Sequence, residues 1–221
     1  MKTQTALSLF HYWNRLRDNA AAPYRADIEP YDIRDVLSHT FILECETPFG
    51  VMHFRLAGTA ISNLYCRSLR GTAVRDLFQE QHRPLIARLM RNCFQDSAVV
   101  VAELDAISQG GRGVKLELMM LPLRDEPAGH RLLGCIAPFD HQFWYGLDAI
   151  IKVDLLSIRV IDPAREPLFL GNRPQIALAP AIEPQETQLL STTDRPSSVR
   201  TNLLVIEGGK SAKAPTTITK R

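Results

Sequence analysis

The sequence predicts an α+β fold: a five-stranded antiparallel sheet with helices on one face, preceded by an amino-terminal amphipathic helix. Three observations carry that expectation. In residues 51–77 an alternating run meets Gly58 and gives way to short helical segments. Residues 84–95 set Leu85, Ile86, Leu89, Met90, Cys93 and Phe94 at spacings of three and four, which makes one apolar stripe. Residues 100–139 then hold three alternating runs separated by glycine-bearing turns.

Residues 3–19 predict the first helix, with Ala6, Leu9, Phe10, Trp13 and Leu16 on one stripe and Asn14, Arg15 and Asp18 facing away. Thr3 or Thr5 is placed to cap it, and Asn19 with Pro23 to end it. Pro30 opens a second short helix that uses Ile33, Val36 and Leu37. From Thr40 to Glu46, Phe41, Leu43 and Cys45 alternate with Ile42, Glu44 and Glu46, and Pro48-Phe49-Gly50 turns that strand into the next. There Met52, Phe54 and Leu56 share one side, and Val51, His53 and Arg55 the other. Thr59 is expected to cap a helix carrying Ala60, Ile61 and Leu64, and Gly71 to end it, with Val74, Leu77 and Phe78 leading on.

Pro84 stands where a first helical residue is tolerated, and Arg83, Arg88, Arg91 and Asn92 lie opposite the stripe of residues 84–95. That stripe reads as a core face packed on a sheet. In the next strand Val100, Ala102, Leu104 and Ala106 alternate with Val101, Glu103 and Asp105. Gly110-Gly111-Arg112-Gly113 supplies a hairpin turn. Val114, Leu116, Leu118 and Met120 then alternate with Lys115, Glu117, Met119 and Leu121. After a turn over residues 125–129, Leu132, Gly134 and Ile136 oppose Leu133, Cys135, Ala137 and Phe139.

Met119, Leu121, Cys135, Ala137 and Phe139 make the sheet face away from the helices too apolar for water. The helix carrying Leu9, Phe10 and Trp13 is the expected cover, in its own subunit or across a two-fold axis. Residues 146–162 are dense enough in Ile, Val and Leu to dock as a strand or short helix. Residues 163–221 turn proline-rich with one aromatic, Phe169, and are expected to be a largely disordered tail in which residues 203–206 pair at most transiently.

Composition excludes several classes. A net charge of +2 over 221 residues gives no electrostatic pull towards nucleic acid or membrane. No apolar run approaches the roughly 20 residues of a membrane helix, and residues 7–10 are too short for a signal peptide. Cys45, Cys66, Cys93 and Cys135 lie far apart, as expected for reduced thiols in the cytoplasm. There is no nucleophile elbow, no Walker loop and no paired carboxylates, so no enzyme is expected.

The run Phe54-Arg55-Leu56-Ala57-Gly58-Thr59, followed by Leu69-Arg70-Gly71 and Asp76-Leu77, resembles the PAS domain. Trp13, Leu16-Arg17, Pro23, Arg25 and Asp27-Ile28-x-Pro30 narrow the resemblance to the small stand-alone bacterial type-5 group, first catalogued as a domain of unknown function. The resemblance covers residues 9–144. It implies a PAS-like core over residues 40–145, an amino-terminal helical extension over 1–39 and a docked extension over 146–162.

The family implies a regulatory or signal-sensing module without catalysis, whose output is contact with a signalling protein, and it often dimerises through a helix such as the one bearing Leu9, Phe10 and Trp13. A homodimer is therefore expected, with Met119, Leu121 and Phe139 at its interface. The competing reading is a ligand sensor whose pocket is lined by Phe54, Leu56, Tyr65, Leu89, Leu118 and Met120, residues that equally well fill a core. Light-sensing relatives use a flavin and a cysteine just after the early helices, but Cys66 precedes Gly71 and no Asn or Gln pair suits the ring. Haem-binding relatives use a histidine where His82 stands. No cofactor and no metal are expected, since the histidines lack ligand spacing.

Overall fold

The computed structural model of the chain describes residues 1–45, 50–124, 130–163 and 176–177. Two compact units divide the chain, Met1–Pro180 and Ala181–Arg221, and the described residues all belong to the first. The expected tail therefore lies outside the described residues, except at residues 163 and 176–177, as does the turn through Pro48 and Phe49.

Helix α1 spans Gln4–Arg17, capped by Thr3, whose side chain accepts from the Ala6 backbone N–H. Two 3-10 turns, Pro30–Ile33 and Leu37–His39, replace the single helix expected after Pro30. The sheet begins with β1 (Thr40–Cys45) and β2 (His53–Ala57). Short helix α2 (Thr59–Leu64), a 3-10 turn at Val74–Leu77 and helix α3 (Arg83–Gln95) follow. Strands β3 (Val99–Ser108), β4 (Gly113–Leu123), β5 (His130–Pro138), β6 (Ile150–Ile161) and the two-residue β7 (Ile176–Ala177) complete it.

Among the described residues one antiparallel sheet runs β2-β1-β5-β4-β3-β6-β7. The expected five strands are its first five in this order. The sixth adds because β3 offers a free row of N–H and C=O groups, which β6 pairs from Val99↔Ile161 to Ser108↔Ile150. Two register shifts in that pairing leave Ile151 and Leu156 as extra, exposed residues. They break the period of two, which is why the sequence left strand and helix open there.

The sheet separates two apolar layers. On the inner face α2, α3 and the 3-10 turns pack Ile61, Leu64, Leu77, Ile86, Leu89 and Cys93 against Phe41, Phe54, Leu104, Leu118 and Met120. On the outer face α1 lays Ala6, Leu9, Phe10, Tyr12 and Trp13 over Ile42, Val101, Met119, Leu121, Leu133 and Cys135. Trp13 is fully buried and donates its indole N–H to the Pro122 carbonyl at 2.8 Å. The apolar outer face is thus covered by the chain's own amino-terminal helix.

Three local expectations need correction. The β1–β2 register pairs Ile42 with Leu56 but Leu43 with Phe54, so Arg55 is an extra residue in a β-bulge. That bulge shifts Leu56 to the other face, where it is 46% exposed, while Phe54 stays in the core. The cap of α2 is Gly58 rather than Thr59. A Cβ at Gly58 would stand 2.2 Å from the Ser38 carbonyl oxygen, so only glycine permits the 3-10 turn ending at His39 to lie against the start of α2. Finally, α2 stops at Leu64, with Cys66 at φ 48°, and Gly71 instead turns the chain back so that its N–H meets the Phe54 carbonyl at 2.8 Å.

Candidate functional site

The inner face is where a pocket was expected, and most of the expected lining meets there. Phe54, Tyr65, Leu89, Leu118 and Met120 all belong to one contiguous core, whereas Leu56 does not. The centre of that face is occupied by a side chain outside the expected set. Phe41 on β1 is paired with Gly134 on β5, and a Cβ at Gly134 would fall 2.3 Å from the Phe41 ring. The bare glycine thus lets the ring lie flat on the sheet, where it meets Phe54 edge-on at 5.5 Å. Burial also pushes the Tyr65 hydroxyl and the Cys93 thiol well above their ordinary ranges, and Cys93 donates to the Met120 carbonyl at 3.6 Å. These groups are neutral fillers of a packed layer.

Neither cofactor candidate is aimed at this layer. His82 ends the 3-10 turn Glu80–His82 and sets Nε2 3.3 Å from Asp154 on β6, a carboxylate that also accepts from the Gln79 amide. The ring is committed to the sheet edge rather than to an axial position over the core, which does not fit haem. Cys66 is exposed, and its thiol donates to the Asn63 carbonyl at 3.6 Å, which does not fit attack on a buried ring. No group of three or more metal-ligating side chains occurs among the described residues.

The residues expected at an interface pack within the chain. Leu9, Phe10, Trp13, Met119 and Leu121 are buried against one another between α1 and the outer sheet face. Phe139, just past the end of β5, is half-buried with the Lys2 ammonium 5.9 Å from its ring.

Two polar anchors are not evident from the local sequence. Glu117, on the outer face of β4, is 0% exposed. Its carboxylate accepts from the Lys2 N–H at 2.7 Å, and from the Thr3 N–H at 2.8 Å and hydroxyl at 2.6 Å. Thr3 in turn caps α1, so a single buried carboxylate seats the helix. Its signal was a lone acid in the phase of Met119 and Leu121. The second anchor is Asp148, which accepts from Ser108 Oγ at 2.7 Å, the Gly110 N–H at 3.0 Å and Arg112 at 3.0 Å. Chiefly the Ser108 hydroxyl, helped by the Gly110 N–H and the Arg112 guanidinium, holds its carboxyl below the usual range. This clamps the segment after β5 onto the β3–β4 turn, in which Gly111 takes φ 78°. Nothing in local sequence marked Asp148, because its partners lie about forty residues away.

That clamped segment walls a cleft of about 190 Å³ at the end of the sheet. His39 from the 3-10 turn, Ala60, Asn63 and Leu64 from α2, and Pro138, His141, Gln142, Phe143 and Tyr145 line it. His39 Nδ1 lies 3.1 Å from the Ser38 hydroxyl, and the His141 ring is 5.4 Å from that of Tyr145. Burial, and secondarily His141, hold the His39 imidazole below its usual range. The fold brings the two histidines together although they stand about a hundred residues apart in sequence.

A family model described as a PAS domain matches residues 1–137. No curated protein matches the chain. Among solved structures it is similar to a light-oxygen-voltage domain studied with a flavin analogue, at 15% identity and TM-score 0.39, over 52% of this chain and 86% of that one. An RNA-binding light-oxygen-voltage receptor is similar at 16% identity and TM-score 0.39, over 52% of this chain and 36% of that one. The light-oxygen-voltage domain of the blue-light photoreceptor Aureochrome1 is similar at 16% identity and TM-score 0.37, over 52% and 89%.

Proposed function

The chain belongs to the PAS domain family, and from that membership we propose that it is a non-catalytic signalling module that acts by contacting another protein. The observation that carries this reading is Phe41 packed on Gly134, which takes up space on the inner sheet face where a sensor's ligand would lie. With the inner layer packed, the surface is what remains for signalling. Phe143 and Leu147 are strongly exposed on the segment that Asp148 clamps to the β3–β4 turn, as is Ile151 at the start of β6. Exposed apolar side chains on a fixed support suit a partner-binding surface. The partner proposed is a signalling protein, with the outer sheet face packed against α1 of the same chain.

Native mass spectrometry of the purified full chain tests the reading. A mass equal to the bare polypeptide supports a contact module, and a stoichiometric bound molecule supports a sensor. Affinity capture with wild type and with Phe143→Asp/Leu147→Asp supplies the second arm. A partner held by wild type and lost by the variant is expected, and equal retention by both overturns this surface.

A further inference from the structure

We infer that the cleft between His39 and His141 binds a small aromatic carboxylate. The cleft shares Phe143 with the proposed contact surface, so the tests below read ligand binding at the two histidines and leave Phe143 unchanged.

The walls supply two kinds of chemistry. Phe143, Tyr145 and Leu64 offer aromatic and aliphatic surface, while His39, His141 and Asn63 offer polar nitrogen and oxygen atoms. None of the described lining residues is Asp, Glu, Lys or Arg, so the two imidazoles are the only lining groups that can take a charge near neutral pH. About 190 Å³ accommodates a single ring with an acid group and is too small for a nucleotide. Ser38 occupies His39 Nδ1, which leaves Nε2 for a ligand.

The electrostatics select an anion. Burial and then the neighbouring His141 both disfavour a proton on His39. A carboxylate placed between the rings reverses both effects, since it offsets the charge on each imidazole and replaces lost solvation. Asp140 is the acid whose charge reaches the lining, at Tyr145, and it opposes an anion on that side of the cleft. The Tyr145 hydroxyl donates away from the cleft to the Asp140 carbonyl, and burial chiefly, with Asp140 adding, pushes it up to about 12, so it stays neutral. Binding therefore draws a proton onto His39, and affinity rises as pH falls.

Calorimetric titration of the full chain with benzoate tests this, with benzyl alcohol as the uncharged ring and inorganic phosphate as the ring-free anion. A Kd on the order of 1 mM is expected at about pH 6, weakening roughly tenfold by about pH 8. Benzyl alcohol and phosphate should each bind about tenfold more weakly than benzoate at the lower pH. His141→Gln, at an exposed site, and His39→Gln should each weaken benzoate about tenfold and flatten its pH dependence. The His39 ring signals in a proton NMR titration should move to a higher midpoint when benzoate is present. No benzoate binding, binding indifferent to both substitutions in folded variants, or an unmoved His39 midpoint overturns the site.

Discussion

Glu117 shows how much one side chain can organise. A fully buried carboxylate opposite Ala137 in the sheet is tolerated because three donors from Lys2 and Thr3, just ahead of α1, reach it, with the amino-terminal ammonium 3.9 Å away. Glu117→Ala should cost on the order of 3 kcal/mol, since it strands those donors, and should lower the melting temperature by roughly 10 °C. Thr3→Ala should cost about 1 kcal/mol, and the double variant should be less than additive, because both act on one hydrogen-bonded cap. Glycines separate in the same way. Gly58→Ala drives a Cβ into the Ser38 carbonyl and should cost several kcal/mol, while Gly113→Ala, with nothing within 4 Å, should change the unfolding free energy in denaturant titration by about 0.5 kcal/mol or less. His39 carries a pH signature. Its proton affinity is lower folded than unfolded, so the unfolded chain binds the proton first and stability falls as pH drops below the ordinary value of 6.5. His39→Gln should flatten the slope of unfolding free energy between about pH 7 and about pH 5.

At the scale of elements, the β1–β2 bulge and helix α3 make opposite tests. Leu89 lies in the inner layer on α3, and Leu89→Asp should unfold the domain, since an unpaired buried carboxylate costs several kcal/mol against a total stability of roughly 5–15. Leu56 has the same apparent status in sequence, yet the bulge at Arg55 turns it out. Leu56→Asp should therefore leave the melting temperature within a few degrees of wild type, while Phe54→Asp, two residues earlier, should not yield a folded protein. If both substitutions proved equally damaging, the bulge would be misplaced. The stripe on α3 was fully legible because a helix keeps its period through thirteen residues. The strand was not, because a single inserted residue inverts every later position and has no marker of its own.

For the whole molecule, the question is what the outer sheet face would do without α1. Deleting residues 1–20 uncovers Met119, Leu121, Leu133 and Cys135 in one step. Sedimentation should show the full chain well behaved and the truncated chain aggregating at matched concentration, because an apolar sheet face of this extent does not stay in water. A truncated chain that remained monomeric and folded would remove α1 from its role as cover. Trp13, with its indole bonded to Pro122, is the main anchor, and Trp13→Ala alone should cost about 3–5 kcal/mol.

The sequence by itself determined the order of elements, the apolar faces of α1 and α3, and the need for a cover on the outer sheet face. Those properties follow from periodicity, which is local and survives without knowledge of neighbours. Tertiary structure alone decided which side Leu56 takes, that Gly134 makes room for Phe41, and that Glu117 and Asp148 find donors far along the chain. It also decided that β3 would accept a sixth strand and that His39 would stand beside His141. Each of these depends on register or on a contact between distant segments, and a one-residue shift, invisible in composition, changes the partner of every side chain that follows.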